Sequence, residues 1–376
     1  MLPDIDHRGC PAGLGASMAL FHQPNAITTV IKDIGVLESS STHGITFVRL
    51  PAYDYDEVKG MVVLFKHAYV TGDESVIYDC STVYRPGGAD VPHWNPYPLS
   101  RMHPAVNEVP GTAVLIAQYW GSWYYHWFIE SFLRLALVRD FLLQNPSVKV
   151  IAYDPPRDGL WLLHELIGLD RSRFISYSPR SVYKVERLLV PTATALIRAN
   201  TRAARQFRDL FREQWSARHP ELCDRKDNVQ IVIQHRGSGS RTISNHDDLV
   251  EAIRRKFSNA DTVVFAPSDS VPDMITMHYN ADIVVGPHGA GLSNSMFMRA
   301  GASILEIYMK VGMLGNDWYN DCHKITATKL NVSYTVIRSD SGEHGSELFV
   351  NVDHVLQVLE PIVNKYEAEL AAKRLT

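Results

Sequence analysis

Cysteine is scarce: Cys10, Cys80, Cys223 and Cys322 are scattered through 376 residues and form no Cys-x-x-Cys pair. That spacing argues against a disulfide framework and against a structural zinc site. Long hydrophobic runs are missing too. The apolar part of the N-terminal stretch is short, interrupted by glycines and preceded by Asp4 and Asp6, so it reads neither as a signal peptide nor as a membrane anchor. No transmembrane segment is expected. The chain as it stands is expected to be cytoplasmic, or to work in the lumen of the endoplasmic reticulum or Golgi if an N-terminal anchor has been removed. Asn331-Val332-Ser333 would be a glycosylation acceptor only in the second case. No charge of one sign dominates: 37 Lys and Arg stand against 41 Asp and Glu, a net charge of -4, so nucleic acid is not an expected partner. There is no Gly-x-Ser-x-Gly nucleophile elbow and no Gly-x-Gly-x-x-Gly at a first strand-to-helix turn, which disfavours a serine esterase and a nicotinamide oxidoreductase. Repeats and low-complexity tracts are also missing.

What is present is the composition of a soluble globular protein, 45% hydrophobic and 21% charged, long enough for two domains. Residues 1–110 carry turn formers and short β-type runs such as Ile45 to Leu50 and Gly60 to Phe65. From Thr112 onward strands alternate with helices: TAVLIAQYW as a strand, YYHWFIESFLRLALVRDFLLQN as a long amphipathic helix, then VKVIAYD, GLWLLHELIGL, RFISY and VERLLVP. The helix from Thr201 to His219 is expected to expose Arg202, Arg205, Arg208 and Arg212. A second alternation follows, through the strands NVQIVIQ, TVVFA, ADIVVG and SILEIY. The pattern predicts an α/β fold with a first domain over 1–200, divided into a β-rich opening segment (1–110) and an α/β part (111–200), and a second, Rossmann-like domain over 201–376. The terminal helix from Val352 to Lys373 is expected to pack back on the first domain.

Three stretches carry the candidate chemistry. In Ile283-Val284-Val285-Gly286-Pro287-His288-Gly289-Ala290-Gly291-Leu292-Ser293-Asn294, a buried strand runs through a glycine loop into a helix start, a place where backbone N–H groups and the helix dipole favour an anion. Gln234-His235-Arg236 and the loop to Arg241 place two arginines at another strand end, followed by Asn245 at a helix start. Such a pair can clamp a diphosphate by forked hydrogen bonds, or can be solvated surface charge. Glu306 lies among apolar residues on a buried strand and needs a partner, either a ribose diol or a core arginine. In the first domain His126 and Glu130 are one helical turn apart, as a general base and its orienting carboxylate would be, with Arg134 continuing that face. A packed core histidine would look the same.

The strings YYHWFIESFLRL, QHRGSGSRTISN and ADIVVGPHGAGLSNSMFMRAGASILEI, in this order, resemble glycosyltransferase family 61, which includes protein O-linked N-acetylglucosaminyltransferases and plant xylosyl- and arabinosyltransferases. Gln234-His235 departs from the small or hydroxyl residues frequent there. The resemblance implies a GT-B fold, two Rossmann-like domains facing across a cleft, and an inverting glycosyltransferase that needs no metal and no cofactor. Its donor would be a nucleotide-diphosphate sugar, a UDP-sugar of the xylose, N-acetylglucosamine or arabinose class, and its acceptor a hydroxyl of a glycan or glycoprotein. Asp-x-Asp occurs only at Asp4-Ile5-Asp6 and Asp54-Tyr55-Asp56, in the irregular opening segment, in keeping with metal independence. Arg236, Arg241, Asn245, His288, Gly289, Ala290, Gly291, Leu292, Asn294 and Glu306 are then the donor-binding residues, and His126 or Glu130 the base. The rival classes are a non-catalytic nucleotide- or carbohydrate-binding module and, further off, a nucleotide-dependent oxidoreductase.

Overall fold

The computed structural model describes residues 17–21, 27–31, 39–42, 45–49, 62–72, 75–78, 82–85, 106–191, 199, 201–223, 227–237, 239–311 and 319–374. Cys10, Cys80, Ser238 and both Asp-x-Asp sequences lie outside them. The chain forms two compact units, Met1–Ala203 and Ala204–Thr376.

The first unit is built on β1 (Ser17–Phe21), β2 (Ile27–Ile31), β3 (Ser39–Thr42), β4 (Ile45–Arg49), β5 (Val62–Thr71), β6 (Val76–Tyr78), β7 (Thr82–Arg85), β8 (Val106–Leu115), β9 (Lys149–Ala152), β10 (Phe174–Ser176) and β11 (Val182–Pro191). They share one sheet in the order β10-β9-β8-β11-β5-β6-β7-β4-β3, with β1 and β2 attached beside β5. The opening strands and the α/β part are therefore one sheet. Strands β8 to β11 are mutually parallel, and β11 pairs antiparallel with β5, so the change of sense falls between those two long strands. Val63, Phe65, Val70, Ala113, Leu115, Ile151, Val185 and Leu188 form the core on one face.

Strand β8 stops at Leu115, short of the expected Trp120, because the chain turns there: Gly121 N–H closes on Gln118 O (2.9 Å) and Trp120 adopts φ 58°. The long helix expected after it is helical but broken. A π-helix spans His126–Ser131, a 3-10 helix Phe132–Leu137, and an α-helix Arg139–Gln144 (α1). Arg134 forms no bond to His126 or Glu130. It is buried, donating to Pro191 O, Ile116 O and Leu115 O at the ends of β8 and β11. Burial lowers its guanidinium to about 9. The helix α2 (Trp161–Leu166) follows β9.

The second unit begins in α3 (Thr201–Arg218) and carries β12 (Gln230–Gln234), α4 (His246–Lys256), β13 (Asp261–Phe265), α5 (Val271–Asn280), β14 (Ile283–Pro287), β15 (Ser303–Tyr308), α6 (Cys322–Lys329), β16 (Ser333–Arg338) and α7 (Val352–Arg374). Its five strands are all parallel, in the order β13-β12-β14-β15-β16. Both faces are covered, which is why β14 and β15 read as unbroken apolar runs and are buried at every position.

Two expectations fail here for packing reasons. Arg208 is buried and donates to Leu330 O, and Arg212, half-buried, donates to Tyr279 O and Phe297 O, so these two α3 arginines cap carbonyls; Arg205 is exposed as expected, and the side chain of Arg202 lies outside the described residues. The C-terminal helix covers its own unit: Val355, Leu359, Val363 and Tyr366 join the core of β12, β14 and β15, and the Tyr366 hydroxyl donates to Gly301 O (2.6 Å).

Beneath β12, the buried His278 ring donates from Nδ1 to Met274 O (2.8 Å) and its Nε2 accepts from the Gln234 amide (3.2 Å). Burial holds this imidazole down at about 4, against 6.5 for the free side chain. The unfolded chain therefore takes up a proton below pH 6.5 that the folded chain refuses until about pH 4. Stability is full above that window and falls as the pH drops through it. Urea midpoints measured between pH 7 and pH 4.5 should fall in the wild type and fall less in His278→Gln; parallel slopes for the two proteins would remove His278 as a cause.

Candidate functional site

In an open parallel sheet ligands bind beyond the carboxyl ends of the strands, where the strand order reverses. Here β12 connects outward to β13 while β14 returns on its other side, so the reversal lies between β12 and β14. The two strands end at Gln234 and Pro287, and the loops that follow are His235 to Arg241 and His288 to Gly291. A cavity of about 300 Å³ opens at this place, lined by Gln234, Arg236, Ser240, Phe265, Pro267, Gly289, Ala290 and Gly291 among others.

The glycines set its floor. A Cβ on Gly289 would collide with Nη1 of Arg236, and one on Gly286 would come within 2.8 Å of Gln234 Cβ. Gln234 thus fills the space under the loop, donating to Gly291 O (3.1 Å). Arg236 is held by bonds from Nε to Ser240 O (2.6 Å) and from Nη1 to His288 O (3.3 Å). Arg241 sits at φ 64° with its N–H on Ser346 O (2.6 Å), and its Nε is buried without a hydrogen-bond partner. Burial, then the neighbouring charge of Arg236, lowers the Arg241 guanidinium to about 10. Two guanidinium groups held close together and partly desolvated repel each other, and a polyanion between them relieves that repulsion.

Behind the arginines, strand pairing places Gly286 of β14 opposite Glu306 of β15. The Glu306 carboxyl, fully buried, meets His288 Nδ1 through one oxygen and accepts from the Tyr334 hydroxyl through the other; Tyr319 bonds to Tyr334 in turn. Burial first, then Arg241 and Arg236, holds the His288 imidazole down at about 3, so the ring is neutral at pH 7. Burial pushes the Glu306 carboxyl up, against the lowering effects of His323, Tyr334 and Arg241. His323 on α6 lies 5.2 Å from the His288 ring, and burial lowers it to about 4.

Of the expected donor-site residues, Arg236, Gly289, Ala290 and Gly291 line the cavity, while Arg241, His288 and Glu306 form one connected group beside it. Asn245 bonds through both side-chain polar atoms to the backbone of Val350. Leu292 and Asn294 are buried, and the Leu292 N–H is taken up by Gly289 O (3.0 Å). Reading the sequence missed His323 and Tyr334, which lie in elements whose patterns are weak, and Tyr319, which lies outside helix and strand ahead of α6; Tyr308 stood in the SILEIY strand without a role. His288, Cys322 and His323 bring ligand atoms within 4.8 Å of one another and are the group that could hold a metal among the described residues. The adjacent charges of Arg241 and Arg236 oppose a cation there.

The first unit holds the other candidate pair. His126 Nδ1 lies 2.9 Å from Glu130 Oε2, which also accepts from Gln118 Nε2 at 2.7 Å. Glu130 is 2% exposed and His126 14%, so the ring, and not the carboxylate, reaches solvent. The pair sits on the π-helical turn; such turns are frequent at functional sites.

The second unit is a parallel α/β unit with a pocket, lined in part by Arg236, at the crossover of its sheet, the place where open parallel sheets bind ligands. Residues 124–305, which carry the His126 pair, the arginine loop and the glycine loop, match the family model described as Glycosyltransferase 61. The chain is 28% identical over 85 residues to the protein O-linked-mannose beta-1,4-N-acetylglucosaminyltransferase 2 of Takifugu rubripes, 23% of this chain and 14% of that protein. It is 32% identical over 82 residues to the EGF domain-specific O-linked N-acetylglucosamine transferase of Mus musculus, 21% of this chain and 16% of that one. The aligned stretches thus span less than a fifth of either relative's length. No helix among the described residues is long and apolar enough to cross a membrane.

Proposed function

We propose that the protein is a glycosyltransferase that moves a sugar from a nucleotide-diphosphate donor, a UDP-sugar, to a hydroxyl of a glycan or protein, with inversion and without a metal. The observation that carries this is the pair of adjacent guanidiniums of Arg236 and Arg241 at the reversal point of the parallel sheet. The nearest acid in that group, Glu306, is engaged by His288 and Tyr334, so the arginines retain charge for a diphosphate. A leaving diphosphate needs such charge when no metal supplies it. In the GT-B reading the second unit holds the donor and the first activates the acceptor. With Nδ1 tied to Glu130, His126 takes the hydroxyl proton on Nε2. The acceptor oxygen forms its bond to the anomeric carbon from the face opposite the phosphate, and the nucleoside diphosphate leaves with the electron pair of the broken C–O bond. Glu130 is then the positioning residue. The matched relatives, named as N-acetylglucosaminyl transferases, favour UDP-N-acetylglucosamine among the donors to try first.

A thermal-shift screen with UDP, UDP-N-acetylglucosamine, UDP-xylose and UDP-arabinose, run with and without EDTA, tests the donor site. A ligand at a hundred times its Kd stabilises the native state by about 2.7 kcal/mol, a rise of several degrees in Tm. The expected result is such a rise in EDTA for UDP and at least one sugar nucleotide. A flat response to all four, or a response that EDTA abolishes, would count against the assignment.

A further inference from the structure

We propose that Trp120 and Trp123 form an acceptor subsite that takes the face of a pyranose ring, so that the acceptor of this protein is a sugar and not a bare serine or threonine side chain. The proposal rests on the glycosyl-transfer reading and names the acceptor class within it.

The turn that follows β8 is Gln118-Tyr119-Trp120-Gly121-Ser122-Trp123-Tyr124-Tyr125. It is held by Gly121 N–H on Gln118 O (2.9 Å) and by Trp123 N–H on Trp120 O (2.8 Å), so both tryptophans lie on a single short bend, with the Trp120 ring between Tyr119 (4.7 Å) and His126. Trp123 is 66% exposed, more than any other large hydrophobic side chain among the described residues. Trp120 is half-buried and adopts φ 58°, a left-handed conformation that a residue with a Cβ rarely takes. Its indole lies 5.1 Å from the His126 ring. Backbone strain of this kind persists where the surroundings over-determine it, and it concentrates at ligand sites. The next residue must be glycine, because a Cβ at Gly121 would come within 2.8 Å of Gln118 O and 2.9 Å of Tyr153.

The chemistry of the place is amphipathic. A pyranose has an apolar C–H face and a rim of hydroxyls. Indole rings match the face, and their N–H groups can reach the rim. The His126–Glu130 pair at the edge of Trp120 then receives one rim hydroxyl, the one to be glycosylated. A peptide hydroxyl would meet His126 but would leave the exposed indole of Trp123 uncovered.

The test uses the full chain and saturation-transfer NMR with the methyl glycosides of mannose, glucose, xylose and N-acetylglucosamine and their β-1,4-linked disaccharides. At least one should bind, with the C–H protons of one ring face receiving most saturation. Trp123→Ala should weaken that binding at least tenfold. Trp120→Gly removes the ring while relieving the left-handed backbone, so it should leave Tm unchanged or higher and still weaken binding tenfold. Both variants should keep the wild-type thermal shift with UDP. No binding by any saccharide, or unaltered binding in both variants, overturns the subsite, whereas loss of the UDP shift in the wild type would strike the donor reading instead. Binding of an unglycosylated Ser/Thr peptide with no binding by any saccharide also overturns it.

Discussion

Alanine in place of His126 is expected to lower sugar transfer by about 10²- to 10⁴-fold, the usual range for a positioned general base, while the thermal shift with UDP stays at its wild-type value. The direction follows from exposure and hydrogen bonding. Glu130 is buried and shares Oε2 between His126 and Gln118, whereas the imidazole reaches solvent. A carboxylate at Nδ1 fixes the tautomer that leaves Nε2 free to accept a proton. Glu130→Gln should therefore cost less than His126→Ala. Combining the two should cost no more than His126→Ala alone, because the carboxylate acts through the ring. Single-turnover rates with saturating donor read this directly. Wild-type rates in His126→Ala would remove the base assignment, and a larger loss in Glu130→Gln than in His126→Ala would transfer the role to the carboxylate.

How far the sequence spoke depended on the kind of interaction. Strands β12, β14 and β15 were legible because a parallel strand buried on both faces must be apolar at nearly every position, as QIVIQ, IVVGP and SILEIY are. Their order was not, since pairing β12 between β13 and β14 is a long-range choice with no local signature. Edge strand β16 mixes exposed and half-buried positions with one buried residue, Ile337, and α6 mixes threonines with charged residues; neither carries a strong period, and with them Tyr334 and His323 escaped notice. The periodicity of 124–144 did announce a helix, but not its change from π to 3-10 winding, nor that Arg134 is buried on backbone carbonyls. Glu306 was read as a buried acid in need of a partner. Its partners proved to be protein groups, His288 and Tyr334, brought to it by the register that sets Gly286 opposite Glu306.

A single methyl group in the glycine loop should weaken the donor site as much as deleting an arginine. Gly289 has φ 163° and ψ 172°, an extended backbone open to any residue, so alanine there brings no conformational strain. It does bring a Cβ into the place of Arg236 Nη1. The guanidinium must move, losing its bond to His288 O and its alignment beside Arg241. Loss of one charge-assisted contact to a phosphate is worth about 1.5–3 kcal/mol, roughly 10- to 150-fold in donor affinity. Gly289→Ala and Arg236→Ala should each raise the Kd for UDP by that factor, and the double variant should be no worse than either, because both remove the same contact. Calorimetric titration with UDP measures all four proteins. Additive losses would mean that the methyl group acts on something other than Arg236, and wild-type affinity in Gly289→Ala would mean that Arg236 does not need this position to hold the diphosphate.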